Sequence, residues 1–383
     1  MKQFKGTANN IAGSVLGVVT RNPWTLLRND RILVTEDASI LSSGFRGIIT
    51  LEEGKKNSLP AIRAQCDVLD NLNEGDCVRL SQDGTITVVW EQQSPMNPLL
   101  LTEACDCHCV MCPQPPKAHD KALVEDAQRI LNSVKSDATK TICLTGGEPT
   151  LLKDDFINVL KLINKKHSES SVMLLTNGKS FSDFAFTKKF VAASPKNLLV
   201  CVSLHSDVDE LHDRIVGVKD SFYKTAMGLQ NLARFRQRVE IRVVVNKLNA
   251  DRLESISNFI VRNFPFINHC AFMGMEMTGH AAENYDEIWI DPLEYREQLF
   301  SAVKVISRAN LNVSIYNIPL CLAKPAAWGF ARKSISGWKN DYLPACDECS
   351  VKADCCGIFT TSGHHQSVNI KPPTLPASLS KNQ

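Results

Sequence analysis

The sequence predicts an α/β chain built on a parallel sheet, and two observations carry that prediction. From about residue 98, apolar strand-like runs alternate with amphipathic helical stretches through six β/α units and a closing strand. Strict alternation implies parallel strands with the helices packed outside. Residues of chemical character also recur just after successive strands, where ligands of such sheets gather. Six units fit either an open doubly wound sheet or an incomplete barrel.

Residues 1–96 have a different texture and read as a small β-rich domain. The stretch Ile11–Val19 is mildly apolar but interrupted by Gly13, Ser14 and Gly17. It leads into Thr20-Arg21-Asn22-Pro23 instead of a small-residue cleavage site, so it reads as a weak strand, with an export signal as the minor alternative. RILVTEDASIL and GIITLEE alternate weakly. NEGDCVRLSQDGTITVVWE reads as a hairpin turning at Asp83-Gly84. The turn chemistry of QQSPMNP (92–98) marks a boundary.

Residues 97–318 carry the alternation. PLLLTEA is the first strand, followed by the helix ALVEDAQRILNSV (122–134). The strands TICLTGG (141–147), SVMLLTNG (171–178), NLLVCVSLHS (197–206), VEIRVVVNK (239–247), INHCAFMGMEM (267–277) and NVSIYNI (312–318) follow. Helices lie between them at DDFINVLKLINKKH, FAFTKKFVAA, FYKTAMGLQNLARF, ADRLESISNFIVRNF and PLEYREQLFSAVKVISRAN. Periodicity stops near 319. Residues 319–367 form a Cys-rich extension, and 368–383 read as a disordered tail.

Lys plus Arg number 43 and Asp plus Glu 41, so bulk charge gives no support for a nucleic-acid partner. No run of 18 apolar residues exists, so no membrane span is expected. The unusual count is 14 cysteines. Without an export signal the expected compartment is a reducing cytoplasm, where clustered cysteines serve as metal ligands or catalytic thiols more often than as disulfides. Cys105, Cys107, Cys109 and Cys112 form one cluster, and Cys346, Cys349, Cys355 and Cys356 another. Of the scattered cysteines, Cys143 and Cys201 sit in apolar strands and read as core thiols.

Cys105-x3-Cys109-x2-Cys112 places three thiols on one loop after the first strand. Three thiolates hold three irons of a [4Fe–4S] cube and leave the fourth iron open, whereas ordinary ferredoxin sites supply four. By spacing alone a zinc knuckle is the alternative. Cys107 falls between the ligands, as a bystander or an alternative ligand. Gly146-Gly147-Glu148-Pro149 follows the second strand, Asn177-Gly178 the third, and Ser203 and His205 close the fourth. His205, His212 and His269 carry no signature that makes them catalytic.

CDCHCVMC after the first strand and TGGEPTL after the second together resemble the radical S-adenosylmethionine (SAM) superfamily, over residues 98 to about 280. The resemblance implies a partial (β/α)6 TIM-like barrel. It implies a [4Fe–4S] cluster on Cys105, Cys109 and Cys112, with SAM on the open iron. Reductive cleavage of SAM would yield a 5′-deoxyadenosyl radical that abstracts hydrogen from substrate. It further implies that Met111 lies near the adenine and that Gly146, Gly147 and Pro149 let backbone approach SAM. Glu148 would take the methionine ammonium group, and Asn177 and Ser203 would touch SAM. In SLHSDVDELHDRIVG, Arg214 would bind the SAM carboxylate, with a plain surface arginine as the alternative. His205 stands where many members carry Asp.

Cys346-x2-Cys349-x5-Cys355 resembles the core of the SPASM/twitch extensions of peptide-modifying members, although Phe359 replaces a later cysteine of that core. The resemblance implies one further [4Fe–4S] cluster on Cys321, Cys346, Cys349 and Cys355. Cys356 competes for the last place, and zinc is the alternative metal. LTEACDCHCVMCPQPPK and IPLC…SISGWKNDYLPACDECSVKADCCGIF narrow the resemblance to the His-Xaa-Ser system radical SAM maturases, HxsC. That family implies a ribosomal peptide substrate with His-Xaa-Ser repeats and a partner radical SAM protein, HxsB. It also implies an external electron donor such as flavodoxin or ferredoxin. The competing functions are radical SAM chemistry on a small molecule or nucleoside, and a zinc-binding scaffold without catalysis.

Overall fold

The computed structural model describes residues 2–26, 28–36, 44–51, 59–135, 141–334, 340–363 and 365–373. The N-terminal unit contains β1 (Gln3–Lys5), β2 (Thr7–Asn9), β3 (Ser14–Thr20), β4 (Arg31–Thr35), β5 (Gly47–Thr50), β6 (Ala61–Arg63), α1 (Cys66–Asp70), β7 (Cys77–Ser81) and β8 (Thr85–Trp90). Its strand order is β1-β8-β7-β3-β4-β5-β6-β2. β7 and β8 form the expected hairpin, with Gly84 at φ +79° in its turn. β3 to β6, by contrast, pair in parallel, which weak alternation in the sequence does not reveal. The strand expected over RILVTEDASIL ends at Thr35, and residues 37–41 lie outside the described residues.

The second sheet begins with β9 (Met96–Leu100), followed by α2 (Lys121–Ser133), β10 (Thr141–Thr145), α3 (Asp154–Lys166), β11 (Ser171–Thr176), α4 (Phe184–Ala193) and β12 (Leu198–Ser203). Two helices, α5 (Asp209–Val216) and α6 (Ser221–Arg234), precede β13 (Arg238–Val244), where the sequence suggests one. Then come α7 (Leu253–Asn263), β14 (His269–Met273), α8 (His280–Glu283), α9 (Tyr285–Ile288), α10 (Arg296–Arg308), β15 (Asn312–Tyr316) and the two-residue β16 (Ala331–Arg332).

These strands lie side by side in chain order, and every neighbouring pair is parallel. A doubly wound sheet reverses its order at a switch point. No reversal occurs here, so the fold is the partial barrel. Pro98 can sit inside β9 because β9 is an edge strand. Side chains alternate as period 2 requires. Val239, Ile241 and Val243 of β13 join the core under the helices, while Glu240 and Arg242 take the opposite, lumenal face. Helix starts are fixed locally: Asp120 accepts from the Ala122 N–H and Asp183 from the Ala185 N–H.

The two sheets share a core. Leu16, Val18, Cys77, Val89 and Trp90 are buried with Val124, Ala127, Leu131 and Ile163 of the barrel helices. Arg79 Nη2 donates to Asp126 Oδ2 at 2.8 Å across the same seam. Full burial of one large apolar side chain contributes roughly 1.5–3 kcal/mol, so this joint is a packed interface and not a loose linker.

The tail expectation is corrected at its start. Ser367 Oγ and Asn369 Nδ2 donate to Asp291 Oδ2 at 2.6 and 3.0 Å, and Ile370 packs on the barrel core. Residues 374–383 lie outside the described residues.

Candidate functional site

The loops leaving β9, β10, β11 and β12 meet at one end of the barrel. Thr102 and Ala104 carbonyls accept the N–H groups of Gly147 and Glu148, both at 2.8 Å. This approach is possible only without side chains. A Cβ on Gly146 would lie 2.3 Å from the Thr102 oxygen, and one on Gly147 would lie 2.3 Å from the Ala104 oxygen. The glycines therefore seat the cysteine loop on β10. Pro149 opens the buried turn that follows.

The cysteine loop is gripped from the other side by α5 and α8. His108 and Val110 N–H groups donate to Val216 and Ile215 carbonyls at 2.9 Å, and His280 N–H donates to the Cys112 carbonyl at 2.9 Å. Gly217, at φ +70°, lets His108 approach: a Cβ there would stand 2.5 Å from its oxygen. Met111 is buried against Ile215, Met277, Ala281 and Ile288.

All fourteen cysteines are free thiols. Cys105, Cys109 and Cys112 are partly buried on this loop. Cys107 is buried between them, and its N–H donates to Cys105 Sγ at 3.4 Å. The neighbouring Cys105 and Cys109 thiols draw its pKa down, with a smaller contribution from the Lys179 ammonium. Among the described residues, Cys105, Asp106 and Cys107 are the set that brings three potential ligand atoms within 4.8 Å of one another. Cys112 instead donates to the Gln114 carbonyl at 3.0 Å. Four reduced thiols on one glycine-seated loop fit an iron–sulfur group by donor chemistry.

Glu148 lies below the surface of the site. It is wholly buried, and its Oε1 accepts from the Thr150 N–H at 3.0 Å, the Thr150 hydroxyl at 2.6 Å and the Thr176 hydroxyl at 2.8 Å. Oε2 accepts from the Asn177 N–H at 2.6 Å. Burial pushes the carboxyl pKa up against these bonds. With both oxygens engaged in this way, Glu148 ties β10 to β11. Asn177 Nδ2 does reach the cysteine loop, donating to Asp106 Oδ1 at 2.8 Å and contacting Cys107 Sγ at 3.5 Å. Ser203 ends β12 beside Arg242 in register. Arg214 lies on the α5 turn whose carbonyls hold the loop, but its guanidinium pairs with Glu287 at 2.7 Å and is exposed.

Residues 99–260 match the family profile of the radical SAM superfamily. This segment belongs to the radical SAM superfamily. The radical SAM domain is also similar to curated relatives. The probable GTP 3′,8-cyclase of Sulfurisphaera tokodaii is 30% identical over 166 residues, 42% of this chain and 50% of that protein. The probable GTP 3′,8-cyclase of Thermococcus kodakarensis is 27% identical over 150 residues, 38% of this chain and 46% of that protein. The chain thus spans about half the length of the curated relatives it matches. Among solved structures, Streptococcus suis SuiB bound to S-adenosylmethionine aligns with TM-score 0.49 and 19% identity, covering 58% of this chain and 51% of that one. A radical SAM methyltransferase from Sphaerobacter thermophilus aligns with TM-score 0.46 and 12% identity, covering 63% and 72%. Among the described residues no helix is long and apolar enough to cross a membrane.

The lumen of the radical SAM domain holds residues that sequence reading missed. Arg242 Nε donates to Glu240 Oε1 at 2.6 Å, His269 Nδ1 contacts Glu240 Oε2 at 2.7 Å, and His269 Nε2 contacts Ser314 Oγ at 2.9 Å. This chain crosses β13, β14 and β15. The Glu240 carboxyl falls to about 2, because His269 and Arg242 outweigh the burial that opposes ionisation. The available signal was two charged residues, two positions apart, in the apolar strand VEIRVVV. His205 and His212 are buried braces: Val244 N–H donates to His205 Nδ1 at 3.3 Å, and His205 N–H donates to His212 Nδ1 at 3.1 Å.

Beyond the radical SAM domain, Cys321, Cys346, Cys349 and Cys355 line one pocket, with Pro319 and Tyr342. Cys356 does not line it; its Sγ donates to the Gly357 carbonyl at 3.3 Å. Cys355 Sγ accepts from the Leu320 and Gly357 N–H groups, both at 3.4 Å. The Cys356 thiol and these amides lower its pKa to about 6, overcoming burial. Such polarisation favours a thiolate ligand. A second pocket begins at the strand ends (Val245, Gly274, Asn317) and shares Pro319, Ile358 and Ile370 with the first.

Proposed function

We propose that this chain is a radical SAM peptide maturase that modifies a ribosomally synthesised peptide of His-Xaa-Ser type. The observation that carries the reading is the run of two adjoining cavities from the barrel mouth to a four-thiol site. An extended polypeptide suits such a trough better than a compact small molecule does. Cys105, Cys109 and Cys112 would hold the [4Fe–4S] cluster, which supplies the electron that cleaves bound SAM to a hydrogen-abstracting 5′-deoxyadenosyl radical. Gly146, Gly147 and Asn177 shape the adjoining loops, Met111 backs them with an apolar wall, and Ser203 and Arg214 are the proposed SAM contacts. Cys321, Cys346, Cys349 and Cys355 would hold a second cluster. HxsB, a flavodoxin- or ferredoxin-type donor and a cytoplasmic setting belong to the same reading.

A second reading takes a nucleotide as substrate. The names of the curated relatives favour it, and the lumenal Arg242 offers a cation. One experiment separates the two. The anaerobically reconstituted protein is given SAM, reductant and either GTP or a His-Xaa-Ser peptide with HxsB, and products are followed by mass spectrometry and deuterium exchange. Modification of the peptide supports the maturase. Conversion of GTP alone supports the nucleotide enzyme.

A further inference from the structure

Lys179 follows the Asn177-Gly178 turn at the end of β11. Its side chain is only 6% exposed, while that of its partner Asp106 is 40% exposed. Nζ donates to the Asp106 carbonyl at 2.8 Å and pairs with Asp106 Oδ2 at 3.0 Å. Its positive charge also acts on the Cys107 thiol, whose pKa it helps to lower. A buried lysine is a costly choice for a position whose only task is to close a turn. Nothing in the turn itself asks for it: the Lys179 N–H is satisfied by Asn177 Oδ1 at 3.0 Å, whatever the side chain.

The pair is unequal in the field that it projects. The Asp106 carboxylate borders solvent, which screens it. The ammonium is shielded from solvent beside the cysteine loop, where charges act at lower effective dielectric. The Asp106 carboxylate also lies within 4.8 Å of the Cys105 and Cys107 sulfurs, so the ammonium outweighs it at the cysteine loop through this difference in screening alone. Reduction potentials of iron–sulfur groups follow local charge, hydrogen bonds to sulfur and solvent exposure, and a nearby positive charge favours the state that carries one more electron.

We propose that Lys179 sets the reduction potential of the group held by the cysteine loop, raising it by a solvent-shielded positive charge. This rests on the reading that Cys105, Cys109 and Cys112 carry a [4Fe–4S] cluster. The step concerned is uptake of one electron from a one-electron donor of flavodoxin or ferredoxin type; no atom passes to or from Lys179. Lys179 is a positioning residue in this account, since it acts through the field at the loop.

The test uses the full chain, reconstituted anaerobically, with iron and sulfide counted and the cluster titrated electrochemically under electron paramagnetic resonance. Lys179→Gln is expected to lower the midpoint potential, Lys179→Arg to keep it near wild type, and Asp106→Asn to raise it by freeing the ammonium from its counter-charge. Equal potentials for Lys179→Gln and wild type overturn the proposal. If Lys179→Gln holds no iron, Asp106→Asn decides alone, and an unchanged or lower potential overturns the proposal. Loss of iron from both variants also overturns it, because loop assembly then accounts for the pair. Wild-type protein that takes up no iron defeats the cluster reading itself, and the proposal falls with it for that separate reason.

Discussion

The Asn177 main-chain N–H donates to Glu148 Oε2 at 2.6 Å, so one buried carboxylate joins the ends of β10 and β11. Three further donors converge on its other oxygen. Removing the carboxylate strands those donors away from water, and each unsatisfied buried group costs roughly 1–3 kcal/mol. Glu148→Ala should therefore lose about 3–5 kcal/mol of stability in urea unfolding. It should also weaken SAM binding at least about tenfold, because Asn177 loses its anchor. Wild-type stability in this variant would refute the bracing role.

The glycine seats make a sharper test of the loop. Gly217→Ala adds a Cβ that would lie 2.5 Å from the His108 oxygen, at a φ of +70°. Iron bound per chain after reconstitution should fall by about half or more, with circular dichroism unchanged, since the clash is local. Gly329→Ala is the control: nothing lies within 4 Å of its added Cβ, and its iron content should match wild type. Equal iron in both variants would reject the idea that Gly217 positions the cysteine loop.

Burial lowers His205 from 6.5 to about 3, and His212 from 6.5 to about 4. The folded state thus binds these protons less readily than the unfolded chain does. Stability is full above about pH 6.5 and falls as pH drops through the window toward 4 and then 3, with a slope of up to about 1.4 kcal/mol per pH unit for each group. Urea midpoints of the apoprotein should decline from pH 7 to pH 5, and His205→Gln should flatten that decline. A flat wild-type profile over this range would exclude a buried neutral pair.

At the C-terminal cavity the two adjacent cysteines should behave differently. Cys355 lines the cavity, whereas Cys356 turns to the Gly357 carbonyl. Cys356→Ser is expected to keep the metal content of wild type, and Cys355→Ser to lose the metal of this site. Iron, sulfide and zinc counts on both variants check this. Equal loss in the two variants would show that the cavity does not distinguish its ligands.

Much of the barrel was legible because its strands announce themselves by length and by apolar runs between helices of clear period. The choice between open sheet and barrel was not, since strand order is a tertiary property that six alternations leave open. At the site, the cysteine and glycine positions could be read because spacing constrains them. Glu148 could not: only the fold reveals that its neighbours Thr150, Thr176 and Asn177 already satisfy it. Lys179 was hidden in a turn, where lysine is ordinarily a solvated side chain. The Arg242–Glu240–His269 chain was split over two strands, and charge within an apolar strand was its sole trace.

β1 and β2 are one short stretch bent at Gly6, yet β1 pairs with β8 and β2 with β6, the strands at opposite margins of their sheet. A Cβ on Gly6 would stand 2.2 Å from the Arg63 oxygen, so only glycine lets the bend pass. These few residues act as a clasp. While it is shut, β6 and the first half of β8 offer no unpaired backbone margin among the described residues. Undoing the clasp bares both at once, which makes self-association, ahead of lost catalysis, the first expected consequence of damage at the amino-terminal end.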